Sequence, residues 1–114
     1  MDEHECWSNR ETWSANLHIM NDYPSYQVVT ELVRDIVATA RDRASDAGPF
    51  DTRMCEAELA ENLEYHFGQV PRMCDGLARD LLESAFAAVD WHEIAHEIVA
   101  EEILRLRRKG ALNV

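Results

Sequence analysis

A chain of 114 residues has the size of one domain and little room for a second, which excludes most large cofactor-binding folds. Hydrophobic residues make up 46% and charged residues 29%, with four Gly and three Pro, a composition that supports a packed core and excludes a disordered segment. The formal net charge is -11, and residues 105–114 hold four basic residues and no acid, so residues 1–104 set seven basic residues against 22 acidic ones. Such a surface repels phosphate backbones within a Debye length of about 8–10 Å, which argues against direct nucleic-acid binding and for a partner with a basic surface.

Five helices are predicted in chain order. Residues 1–7 read as a flexible lead-in, and Ser8-Asn9-Arg10-Glu11 has the form of a capping box opening a helix from about Asn9 to Met20. Trp13, Leu17 and Met20 share one face of it. Asn21-Asp22-Tyr23-Pro24 is a turn, and Pro24 suits the first turn of a second helix running to about Ala44. Val28, Leu32, Ile36 and Val37 form its stripe, with Val29, Val33 and Ala40 alongside. Asp46-Ala47-Gly48-Pro49 ends that helix. A third fits Arg53–Phe67, capped by Asp51 or Thr52, with Leu59, Leu63 and either His66 or Phe67 inward. Gly68-Gln69-Val70-Pro71 breaks it. A fourth covers about Met73–Val89, with Leu77, Leu81, Ala85 and Ala88 at helical spacing beside Leu82 and Phe86. The fifth starts at Asp90 as N-cap and runs to about Lys109, with Trp91, Ile94, Ala95, Ile98, Val99 and Ile103 as core. Arg105, Arg107, Arg108 and Lys109 complement its dipole. Residues 110–114 read as a flexible tail. No segment alternates as a strand, so the expected fold is all-α, a single compact domain over residues 1–114.

Cys6, Cys55 and Cys74 are too few and too scattered for a disulfide framework, no apolar run reaches the roughly 18 residues of a membrane span, and the first residues are acidic. A cytoplasmic protein with no membrane partner is expected.

His92-Glu93-Ile94-Ala95-His96 matches H-E-x-x-H, in which two histidines one helical turn apart bind zinc and the glutamate activates water. Read that way, His92 and His96 are ligands of a zinc-dependent peptidase, Glu93 is its base, and Glu97, Glu101 or Glu102 supplies a third ligand. The local syntax points elsewhere. Asp90-Trp91-His92-Glu93 is itself a capping box, which gives Glu93 a structural task and puts His92 in a first turn, so neither a metal nor a catalytic set is assigned. Cys55 and Cys74 sit near helix starts without a neighbouring base, and His18 and His66 read as half-buried structural residues.

Trp7-Ser8-Asn9-Arg10-Glu11-Thr12-Trp13 followed by Leu17-His18-Ile19-Met20-Asn21-Asp22 resembles a group of small uncharacterised phage and prophage proteins, whose pattern is Asn-x-Glu-Thr-Trp, then Leu-Trp-Ile and Asn-Asp. His18 stands where Trp is commoner. Asp90-Trp91-x-Glu93-Ile94-Ala95 is similar to a second segment of such proteins, Asn/Asp-Trp-x-Glu-Ile-Ala, which requires neither histidine. The resemblance covers about 20 residues and implies an origin rather than an activity.

Size, charge and this resemblance together lead us to expect an accessory protein of a phage or prophage that binds and inhibits a host protein of defence or transcription, in its sharper form as a DNA mimic. Candidate contact residues are Trp7, Asn9, Glu11, Glu56, Glu58, Glu61, Glu64, Glu97 and Glu101, with Asp75, Asp80, Glu83 and Glu102 as further acids. A structural or regulatory homodimer is the other alternative to the zinc hydrolase.

Overall fold

The computed structural model describes residues 6–47 and 50–110. It is all-helical: α1 (Arg10–Asn21), α2 (Tyr23–Ala47), α3 (Thr52–Phe67), a short 3-10 turn (Val70–Met73), α4 (Gly76–Ala87) and α5 (Trp91–Arg108). Among the described residues no helix is long and apolar enough to cross a membrane. The lead-in and tail expected at the ends fall largely on residues 1–5 and 111–114, outside the described residues. Trp7 packs against the core.

The core lies where α3 meets α5, with α2 and then α1 closing its other side. Leu59 and Leu63 of α3 and Ile94, Ala95 and Val99 of α5 are buried to 1% or less. Residues three, four or seven apart on each helix form one inward stripe, which water leaves when the two stripes meet. All six core positions predicted for α5 are buried, and Leu106 extends the row by another turn. On α3, Cys55 and Glu56 join Leu59 and Leu63, Phe67 packs at the margin, and His66 is exposed.

Three inward faces differ from expectation. On α2 the buried stripe is Val29, Val33, Ile36 and Val37, with Leu32 and Ala40 at its edge and Val28 turned outward. On α1 the buried residues are Thr12 and Ile19, whereas Leu17 is exposed and Met20 only half-buried. The polar Thr12 can occupy the inner position because its hydroxyl has a partner there. On α4 no residue is buried: Leu77 and Leu81 face solvent, and the helix rests on Phe86 and the preceding 3-10 turn.

Helix boundaries follow their caps. α1 is capped by Asn9 and not by Ser8, since Asn9 Oδ1 accepts from the Thr12 N–H at 2.8 Å. Asp22 then starts α2 one residue earlier than Pro24, accepting from the backbone N–H and hydroxyl of Ser25 at 3.2 and 2.6 Å. These bonds hold the Asp22 carboxyl below its ordinary value. Asp51 caps α3 through the Arg53 N–H. α4 starts three residues later than expected, because Cys74 is extended and Gly76 takes φ +62°, a conformation that suits glycine.

Candidate functional site

The N-terminal segment Ser8–Thr12 and the segment Ala88–Glu93 meet in space. Ser8 donates from its backbone N–H and its hydroxyl to the Glu93 carboxylate, the hydroxyl at 2.7 Å. Asn9 Nδ2 donates to the Ala88 carbonyl at 2.7 Å, and the buried Thr12 Oγ1 accepts from the Asp90 N–H at 2.8 Å. Polar contacts from Ser8, Asn9 and Thr12 therefore tie the start of α1 to the end of α4 and the start of α5. Each serves a backbone or carboxylate group that a helix end leaves without a partner. Asp90 does cap α5, through the Glu93 N–H at 3.0 Å. The reciprocal half of that box is replaced: the Asp90 N–H goes to Thr12 and the Glu93 carboxylate to Ser8. Asn9, expected as a contact residue for a partner, is committed to this joint, and Trp7 beside it is half-buried against the core.

Glu93, the general base of the zinc-peptidase reading, is thus engaged through both carboxylate oxygens with Ser8 in this structure. The histidines of the motif are organised by a different acid. Glu56 of α3 lies 8% exposed beneath α5, with His96 Nδ1 3.0 Å from its Oε1 and His92 Nε2 3.6 Å from its Oε2. One buried carboxylate thus receives an imidazole at each oxygen, and both rings stay 58% exposed on their outer sides. Sequence spacing placed the two histidines on one face of α5, but Glu56 lies 40 residues from His96 and only the α3–α5 packing brings it in. As the side chains stand, no three His, Cys, Asp or Glu groups among the described residues are gathered tightly enough to hold an ion.

The acidic candidates divide between several places. Glu56 is covered, and Glu102 is buried in a two-point pairing with Arg105, whose Nε and Nη2 each lie 2.7 Å from a carboxylate oxygen. That pairing holds the Arg105 guanidinium more firmly protonated than usual. Glu58, Glu61 and Glu64 are exposed on α3, and Glu64 shares a shallow cleft with Glu83 of α4. Glu97 and Glu101 line a separate 760 Å³ groove between α2 and α5, whose rim also carries Arg34, Arg105, Arg108 and Lys109. Glu11 is half-buried on α1. On the α3–α4 side, Arg72 lies in the cleft with Glu64 and Glu83, and Arg79 pairs with Glu83 at 3.0 Å; Glu97 and Glu101 of α5 likewise stand among cations.

Sequence reasoning found α4 as a helix but missed its exposure, because periodicity reports that a helix has an apolar stripe but not whether anything covers it. Met73, Leu77 and Leu81 are 81%, 74% and 61% exposed, and the two leucines lie one turn apart on α4. Asp75, Asp80 and Glu83 are exposed beside them. Cys55 is buried, and burial together with the carboxylates of Glu58 and Asp51 pushes its thiol up, away from nucleophilic use. His18 and His66, expected to be half-buried, are both exposed. Comparison of the chain with protein-family models, with curated proteins and with solved structures returns no match.

Proposed function

We propose that this protein acts by binding another protein, through the outer face of α4 and the carboxylates that adjoin it. The observation that carries this reading is the pair Leu77 and Leu81, large apolar side chains one helical turn apart on a helix with no buried residue. Two leucines in water on the same stripe forgo burial that is worth about 1.5–3 kcal/mol each, and a partner's pocket supplies it. The partner that fits has an apolar pocket bordered by Arg or Lys, because Asp80 is exposed on the same helix and Glu83 of α4 shares a cleft with Glu64. The resemblance of the Asn9–Trp13 segment to phage proteins suggests the setting, an accessory protein that inhibits a host protein. In a DNA-mimicking form, Glu58, Glu61 and Glu64 stand in for phosphates.

Affinity capture from bacterial extract, followed by binding measurements on the purified partner, tests this. A specific partner is expected to bind the unaltered chain and to lose at least tenfold affinity with Leu77→Ser/Leu81→Ser. The triple change Glu58→Gln/Glu61→Gln/Glu64→Gln should weaken binding and flatten its salt dependence. If no protein distinguishes the unaltered chain from the leucine variant, the reading fails. A dimer by light scattering that Leu77→Ser dissociates would assign the stripe to a second copy instead.

A further inference from the structure

We propose that Glu56, His92 and His96 form a binding site for one divalent transition-metal ion of the zinc type, a clasp between α3 and α5 that uses the histidines of the H-E-x-x-H pattern without its glutamate. Three observations converge on it. The two imidazoles lie at i and i+4 of α5, the spacing that presents both on one face. Both face the same acid, from a different helix. That acid is 8% exposed, and an imidazole stands at each of its two oxygens.

A carboxylate this buried gains from a cation beside it, which offsets the desolvation of its charge. The distance of each imidazole nitrogen from its carboxylate oxygen is close to that in a coordination shell. An ion about 2.0–2.2 Å from an imidazole nitrogen and a carboxylate oxygen holds them about 3.4 Å apart at the tetrahedral angle. The observed separations are 3.0 Å for His96 and 3.6 Å for His92. Each nitrogen–oxygen pair is thus near ligand spacing, while the three groups as they stand do not form a ready-made ion site, and both rings are exposed on α5. A ligating imidazole carries its proton on the outer nitrogen and gives the inner lone pair to the ion.

Two imidazoles and one carboxylate select zinc, nickel or copper over magnesium and calcium, which take oxygen ligands, and the exposed outer side leaves a fourth position to water. With Glu93 bound to Ser8, that water has no base beside it from the motif, so the ion serves to fasten α3 to α5. The α4 face is not involved, and the site stands or falls independently of the proposed partner.

The test is titration of the chelator-stripped full chain with Zn²⁺, and with Co²⁺ as a spectroscopic probe, in a Cys6→Ser background that removes an exposed thiol. One ion per chain is expected, with the intense visible bands of four-coordinate Co²⁺. His92→Ala, His96→Ala and Glu56→Gln should each weaken binding at least tenfold, whereas Glu93→Gln, His18→Ala and His66→Ala should leave it unchanged. In the unaltered chain, Zn²⁺ should shift the imidazole NMR signals of His92 and His96 and not those of His18 and His66, a readout independent of how the variants fold. Absence of binding at 100-fold excess ion, or binding that Glu56→Gln and the two His→Ala changes leave intact, would overturn the site.

Discussion

Ser8 and Glu93 stand 85 residues apart in the chain, yet the Ser8 hydroxyl donates to the Glu93 carboxylate at 2.7 Å. Each residue belongs by local spacing to a different capping box, Ser8 with Glu11 and Glu93 with Asp90. The folded chain pairs the two outer members with each other, turning two local helix starts into one long-range joint. A double-mutant cycle on Ser8→Ala and Glu93→Ala should therefore show non-additivity, with a coupling of about 1 kcal/mol. Urea denaturation of the four proteins measures it, and simple additivity would return both residues to local capping.

The Thr12 hydroxyl is the buried part of that joint. Thr12→Val keeps the shape but leaves the Asp90 N–H without an acceptor, and should cost about 1–3 kcal/mol. Thr12→Ser, which retains the hydroxyl, should recover a large part of this. Equal losses for Val and Ser would mean that packing of the methyl group, and not the hydrogen bond, makes the contribution.

Leucines at superficially equivalent helical positions should differ sharply. Leu59→Ala and Leu63→Ala remove fully buried side chains at the α3–α5 contact and should each cost about 2–5 kcal/mol. Leu77→Ala and Leu81→Ala should stay within about 0.5 kcal/mol of the unaltered chain, since neither side chain is buried. Denaturant midpoints of the four variants check this. A large loss at Leu77 would show that the stripe is already covered, by a second copy or by the chain itself.

Asp22 links the end of α1 to the start of α2, and its pH dependence has a defined sign. The Ser25 hydrogen bonds hold its carboxyl below the ordinary 3.8 in the folded chain. Its contribution is therefore complete above the unfolded value and is lost as pH falls through the lower, folded one. Asp22→Asn and Ser25→Ala should both flatten the acid limb of the stability profile below about pH 4 and leave its neutral limb parallel to that of the unaltered chain. An unchanged acid limb in both variants would remove Asp22 from the acid transition.

The sequence by itself determined what depends on neighbours within a few turns. Five helices, a break between α1 and α2 within Asn21–Pro24, a cap at Asp51 or Thr52, the Asp90 cap and the complete inward face of α5 follow from periodicity and capping chemistry, which act over three or four residues. The exchange of a capping role from Ser8 to Asn9, the shift of the α2 stripe towards Val29 and the outward turn of Leu77 were decided by tertiary structure. In each case the local pattern is satisfied equally well by two rotations of a helix, and only the surface it packs on selects one. The same holds for chemistry. The sequence set His92 and His96 one turn apart, but whether an acid stands between them depended on α3 lying against α5, which brought Glu56 under both rings and left Glu93 to Ser8.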